Sequence, residues 1–485
     1  MSGGVTSDTL RGQGAGERTQ RRTRRGALGL AAVLAAAGIP GVGTLAACGA
    51  PQTESGAGAG SREALAAEVI WTSWAVDDLG KNRVQEQADL YHQEFPTAKV
   101  TIANVPSATY QDKLLSGLAA GSGPDVFRDN PSDAIPLITQ GQLSPLDPLF
   151  SKTRGTWWGG KDVKPGVMDW GRTRGKQYGL PMGTGAYYDF NINRNLYRTA
   201  GVAAPPRSYN DPAYPAWTFE RVLEDSRRLT KGAGSGAAQF GIDTGMSWPY
   251  LLPVVLSWGG EFMNMKTGEF RWHEAPAADA IQWMADLALK HRVAPGGEEV
   301  ASGLYRFERG RLGLSWSTPN LAMYLLTTVG EQFEWDLVPP PHLPNKKPVL
   351  WFYTSWWVLN KSSKATDAAW NFMHWVGGPK GQRVEVEYTW TAPHFASLDS
   401  KFGLRLGTAA AQKSLEVASD FGRFISQDRP ELNPKFADGL KVLTPALNQV
   451  GSGELTARQA MTQIKPQMDD LLKQGLAEDR AQGAK

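Results

Sequence analysis

Between residues 67 and 127, short apolar runs alternate with stretches of helical period, and this alternation constrains the fold more than any other feature of the chain. Ala67-Glu68-Val69-Ile70-Trp71-Thr72 reads as a strand, and the segment from about 79 to 95 carries Val84, Ala88, Leu90 and Tyr91 at helical spacing. Lys99-Val100-Thr101-Ile102-Ala103 is a second strand. Tyr110 to Ala120 is a helix with Leu114, Leu115 and Leu118 on one face, stopped by Gly121-Ser122-Gly123-Pro124. Asp125-Val126-Phe127 is a third short strand. Strands that alternate with helices argue an α/β fold with a parallel sheet and helices on both faces. In such sheets ligands bind beyond the carboxyl ends of the strands.

The rest of the chain continues in this style. Helices are expected over Trp217 to Lys231, Pro276 to Lys290, about 364–376 and about 454–475. Pro276 suits a first helical turn, where no N–H is needed. Residues 307–316 suggest a turn and strand, 335–343 a strand running into Pro339-Pro340-Pro341, and Trp356 to Asn360 a strand. No internal repeat of fixed period is present.

Ahead of this body, residues 1–47 read as a signal peptide. Arg21-Arg22-Thr23-Arg24-Arg25 precedes the uncharged apolar run from Gly26 to Ala47. Thr23-Arg24-Arg25-Gly26 also resembles a twin-arginine export signal, so a general or a twin-arginine route both fit. Leu45-Ala46-Ala47-Cys48 resembles a bacterial lipobox, with the chain's single cysteine as its lipid acceptor. Residues 48–64, rich in Gly, Ser and Ala, are expected to be a flexible tether on the lipidated Cys48. No later stretch approaches the ~18 uninterrupted apolar residues of a membrane span.

Charge and composition exclude several function classes. The formal net charge is +3, but Arg11, Arg18, Arg21, Arg22, Arg24 and Arg25 stand against only Asp8 and Glu17 in the leader, so the body is nearly neutral. That leaves no basic footprint for nucleic acid. One cysteine excludes an internal disulfide and a multi-cysteine zinc site. His92, His273, His291, His342, His374 and His394 lack metal-ligand spacing, and neither metal nor cofactor is expected. No GxSxG, HExxH or phosphate-loop pattern occurs. The 18 Trp are many for the length. They suit cores, and they also suit a site built on flat rings against the apolar faces of sugars.

Several motifs in order resemble the extracellular solute-binding protein family of ABC importers, in its maltodextrin-binding-like sugar branch. They are Tyr110 to Leu114 leading into Gly121-Ser122-Gly123-Pro124-Asp125-Val126, and Gly175-Lys176-Gln177-Tyr178-Gly179-Leu180-Pro181. Asn193-Arg194-Asn195-Leu196-Tyr197 follows, with Ala200-Gly201-Val202 and Pro205-Pro206. Trp217-Thr218, Phe307 with Gly310 to Gly313, and Ala365 to Trp375 complete the set. Ile192 departs from the pattern where the family has Tyr.

The resemblance implies a periplasmic-binding-protein-like α/β fold of two discontinuous lobes joined by hinge strands. Lobe I would be 65–182 plus 345–380, and lobe II 186–338 plus 392–475. Hinges would fall near 182–186, 339–345 and 381–392. It also implies a non-enzymatic monomer that binds a sugar between the lobes and hands it to an importer's permease subunits. An exported glycoside hydrolase or a sugar-sensing lipoprotein is the alternative. Candidate ligand contacts, chosen at strand ends and at family positions, are Trp71, Trp74, Asp129, Asn130, Tyr187, Tyr188, Asp189, Trp258, Gly259, Trp316, Trp356, Trp357 and Trp390, the last with Arg383 and Tyr388 nearby. Strand alternation lets at most one of Trp356 and Trp357 face a cleft.

Overall fold

The computed structural model describes residues 66–483 apart from 75–77, 107–108, 154–156, 184, 188, 233–237, 390–392 and 402–428. The expected signal peptide, lipidation at Cys48 and tether lie outside the described residues, as do Tyr188 and Trp390.

Lobe I is built first. Strand β1 (Glu68–Trp74) leads through α1 (Asp78–Glu94) to β2 (Lys99–Val105), then through α2 (Tyr110–Ala119) to β3 (Val126–Asp129). α3 (Pro131–Thr139) and α4 (Asp147–Lys152) follow. The small hairpin β4 (Arg172–Thr173) and β5 (Lys176–Gln177) precedes β6 (Gly179–Pro181). After β6 the chain passes out through β7 (Gly185–Tyr187). β1 pairs with β2 and β3 in parallel.

Lobe II opens with β8 (Asp189–Asn193) and α5 (Arg194–Thr199). Then come α6 (Phe219–Leu229), α7 (Trp248–Trp258), α8 (Ala275–Leu289) and α9 (Gly297–Ala301). β9 (Leu314–Ser317), α10 (Pro319–Thr328) and β10 (Trp335–Val338) complete a three-stranded antiparallel sheet of order β10-β8-β9. Thr218 and Thr318 accept a hydrogen bond at the starts of α6 and α10, through side-chain oxygens. The lobe II core gathers Phe190, Ile192, Val254, Ile281, Met284 and Leu337 from the sheet and its helices.

The chain returns through β11 (Trp351–Tyr353), which pairs antiparallel with β7. β12 (Trp356–Leu359) then enters the lobe I sheet between β3 and β6, antiparallel to both, giving the order β2-β1-β3-β12-β6. The two outward and return passages are thus strands of one ladder. α11 (Thr366–Gly377) and α12 (Pro379–Tyr388) pack on lobe I, and α13 (Phe436–Ser452) and α14 (Ala457–Gly483) pack on lobe II through α8. α14 also touches lobe I, where Arg174 of the β4–β5 turn pairs with Asp479.

Two expected boundaries move. The resemblance and the triple proline put the return at 339–345, but the carbonyls of Pro339 and Pro340 accept from Trp217 Nε1 (2.9 Å) and Tyr214 Oη (3.0 Å) of lobe II. Proline lacks a donor and keeps its acceptor, so this run docks rather than crosses. Ser257 Oγ accepts from Val349 N at 2.8 Å, which keeps the chain on lobe II up to β11. A third hinge was expected at 381–392. Residues 379–388 instead form α12, held to lobe I by Arg83–Glu385 (3.2 Å) and by Gln87 Nε2 donating to Gly381 O (3.1 Å). Residues 393–401 also stay on lobe I, with Phe395 and Leu398 packed near Val386, Trp157 and Val163.

Candidate functional site

Most of the nominated tryptophans form cores, and each for a visible reason. Trp71 is fully buried on β1 against Trp357 (ring centroids 5.2 Å) and Phe372 (4.8 Å). Trp356 and Trp357 point to opposite faces of β12, as strand period 2 dictates. Helices cover both faces of this sheet, so each ring enters a different hydrophobic cluster and neither faces a cleft. Trp316 is buried against Phe190 at 4.3 Å. The expectation that these four rings form platforms for a ligand is therefore corrected: Trp71, Trp356 and Trp357 pack the interior of lobe I, and Trp316 that of lobe II.

The other nominated residues are scattered. Trp258 is half-buried at the end of α7, with Phe219 at 5.6 Å, and Gly259 caps that helix in the left-handed conformation at φ 90°. Trp74 ends β1 opposite Val105, and Tyr187 ends β7 opposite Trp351. Asp129 is buried at the end of β3 and accepts from Gln111 Nε2 (3.0 Å) and Asn130 N (2.9 Å). Burial and the nearby Asp133 hold its carboxyl well above the ordinary range. Asn130 joins a small polar group where the return passage meets β3: Arg128 Nη2 donates to Ser355 Oγ, which donates to Asn130 Oδ1, both at 3.1 Å. Asp189, the first residue of β8, is buried with no hydrogen-bond partner on either carboxylate oxygen among the described residues, and burial drives its pKa far upward. Tyr388 donates to Glu86 at 2.8 Å and Arg383 pairs with Glu387 at 2.9 Å, so both serve α12.

A concave site on lobe II is one the sequence reading missed. A cavity of about 430 Å³ is walled by the loop from Asp243 to Ser247, by Tyr250, by the segment from Tyr305 to Glu308, by Ser315 and by Tyr324. It sits beside β9, whose last residue Ser317 pairs with Asp189, two residues beyond the end of β7. The wall therefore stands on the part of lobe II that adjoins the crossing.

Trp316 fixes this wall. Its Nε1 donates to the main-chain oxygen of Asp243 at 3.3 Å, and its backbone N–H donates to the Asp243 carboxylate at 3.2 Å. Ser315 Oγ donates to the other carboxylate oxygen at 2.6 Å. Gly245 lies over the indole with φ +48°, and a Cβ there would come within 2.6 Å of Trp316 Cδ1, so only glycine lets the loop close down. Burial lifts the Asp243 carboxyl to about 6 against those stabilising hydrogen bonds. Glu308 is held by Arg306 at 3.3 Å. Tyr305 packs its ring edge-on to Phe240 at 4.9 Å, and Tyr324 is 41% exposed.

Rings, hydroxyls and carboxylates converging on one cavity are the features of a site for a polar small molecule. A larger cavity of about 590 Å³ on lobe II presents His342, Lys346 and Lys347 among tyrosines and prolines, and no carboxylate. Among the described residues, no cluster of His, Cys, Asp or Glu fits a metal ion, and no helix is long and apolar enough to cross a membrane.

The model of the bacterial extracellular solute-binding protein family matches residues 77–383. The chain belongs to this family. Solved structures of similar fold include the ABC substrate-binding protein of Listeria monocytogenes in complex with cycloalternan. It has 16% identity and a TM-score of 0.71, over 84% of this chain and 99% of that one. The GacH receptor of Streptomyces glaucescens, solved unliganded and with acarbose, has 18% identity and a TM-score of 0.67, over 83% and 98%. Maltose-bound T. maritima MalE3 has 18% identity and a TM-score of 0.65, over 83% and 99%. No curated protein sequence matches the chain. These likenesses agree with the two-lobed α/β fold of this solute-binding protein.

The signal for the missed site was present. Phe240-Gly241-Ile242 is a short apolar run that ends on Asp243, and Tyr305 to Phe307 stands just ahead of the Gly310–Gly313 motif. Weight placed on tryptophan hid both.

Proposed function

We propose that this solute-binding protein is the lipid-anchored capture component of an ABC importer, and that its solute is a carbohydrate held between the lobes. The observation that carries the reading is the cavity beside β9, where the Asp243 carboxylate, the Ser315 hydroxyl and the rings of Tyr250, Tyr305 and Tyr324 share one wall. Sugars offer hydroxyls and flat CH faces, so they need both kinds of wall. A buried hydroxyl left unpaired costs about 1–3 kcal/mol, so the polar set provides the specificity. Cycloalternan, acarbose and maltose, the ligands of the three similar structures, support the same class.

On this reading lobe I supplies Arg128, Asn130 and Ser355 at the carboxyl end of β3, and lobe II supplies the Asp243 wall. The lobes close about β7 and β11 by hinge motion. Ligand shifts the open and closed populations by its differential affinity for the closed form. The protein binds and releases without bond breaking, and Cys48 carries the lipid that holds it at the outer face of the cytoplasmic membrane.

A thermal-shift screen of the purified protein against a saccharide library tests this. The melting temperature is expected to rise with one sugar class. A rise with peptides or lipids and with no saccharide overturns it.

A further inference from the structure

We propose that the cavity beside β9 selects saccharides that carry a protonated amine, with the Asp243 carboxylate as counter-ion and the rings of Tyr250, Tyr305 and Tyr324 as the walls around the cation. This inference rests on the carbohydrate reading and adds to it the charge of the solute.

The wall is built around an uncompensated anion. Both carboxylate oxygens of Asp243 are occupied by neutral donors, Ser315 Oγ at 2.6 Å and Trp316 N at 3.2 Å. Among the described residues no lysine, arginine or histidine forms an ion pair with it, and the causes of its shift are burial and hydrogen bonds. Among the described residues the one cation on the cavity wall is Arg306, which pairs with Glu308 at 3.3 Å. Asp243, Glu308 and Arg306 leave the wall with one net negative charge when all are ionised. Asp243 is only partly exposed, and burial pushes its carboxyl up to about 6.

Such a group gains most from a ligand that brings the missing positive charge, because an opposite charge nearby favours the ionised form. A hydroxyl can hydrogen-bond to the carboxylate but leaves its charge in place. Tyrosine faces add to the preference, since their rings attract an ammonium within about 6 Å of the centroid. Three such rings with a carboxylate form a setting for an ammonium on a flat, hydroxylated body.

The test is isothermal titration of the purified protein at neutral pH with two pairs of probes, each differing only in hydroxyl against amine. The pairs are cellotetraose with fully deacetylated chitotetraose, and trehalose with trehalosamine. In at least one pair the amine is expected to bind tighter by about tenfold or more. Asp243→Asn keeps the size and can keep both hydrogen bonds, with Ser315 turned to accept. It should abolish the preference, bringing the amine's affinity down to that of its hydroxyl partner in the same variant. Tyr324→Leu, at an exposed position, should reduce the preference without unfolding. Amines that bind no tighter than their partners in either pair overturn the proposal, as does a preference that survives in Asp243→Asn. Neutral saccharides binding without an amine preference would remove this inference alone. The carbohydrate reading falls only if no saccharide stabilises the protein.

Discussion

The indole of Trp356 lies against Gly179 so closely that a Cβ on residue 179 would overlap its ring. The two residues sit on neighbouring strands, β12 and β6, paired Trp356 with Pro181 and Val358 with Gly179. The glycine of the Gly175–Pro181 motif is therefore a packing requirement of the lobe I core. Gly179→Ala should destabilise lobe I by about 1–3 kcal/mol, the usual range for overpacking. Urea unfolding checks it, and an unchanged midpoint would show that the core yields at no cost.

Trp316 and Tyr324 should separate stability from binding. Trp316→Ala removes a ring packed on Phe190 and the indole hydrogen bond to the Asp243 main-chain oxygen, and should cost about 3–5 kcal/mol. Tyr324→Ala, at a position 41% exposed, should change stability by less than about 0.5 kcal/mol and weaken ligand binding. Denaturant midpoints and titrations on the two variants read this directly. The reverse pattern would move the site off this wall.

Asp189 gives a pH signature. Its folded pKa is raised well above 3.8 by burial, and among the described residues neither carboxylate oxygen has a hydrogen-bond partner. Below 3.8 the acid is neutral in folded and unfolded chains alike. As pH rises from there the unfolded chain ionises first, so stability from this group is lost up through the folded pKa. Asp189→Asn is neutral throughout, so its unfolding midpoint should exceed that of the native protein at neutral pH and converge with it near pH 3.8. A native-to-variant difference that stays flat with pH would show that Asp189 has an unseen counter-charge.

The anchor is tested at the leader. Cys48→Ser should release the protein from membranes into the soluble fraction and abolish incorporation of labelled fatty acid, with ligand binding unaltered. Membrane retention of that variant would point to a different attachment.

Lobe I was readable because its signals are local. Strand runs, helical periods and the Gly121–Pro124 stop all act within a few residues. The roles of the tryptophans are not local. Sequence tells that Trp356 and Trp357 face opposite ways, but only the sheet order shows that helices cover both faces. The return passage was misplaced for a related reason. A proline run looks like a connector until its carbonyls find Trp217 and Tyr214, donors more than a hundred residues away. Asp243 was overlooked because its setting depends on a strand more than seventy residues further on.

The pairing of β7 with β11 limits what the lobes can do. Two independent tethers would let the halves slide, tilt and swivel separately. Tied edge to edge along three registered residue pairs, these strands must twist together, so the relative motion they allow approaches a single angle. A receptor that grips both halves at once would then read a two-valued signal, loaded or unloaded, with little in between.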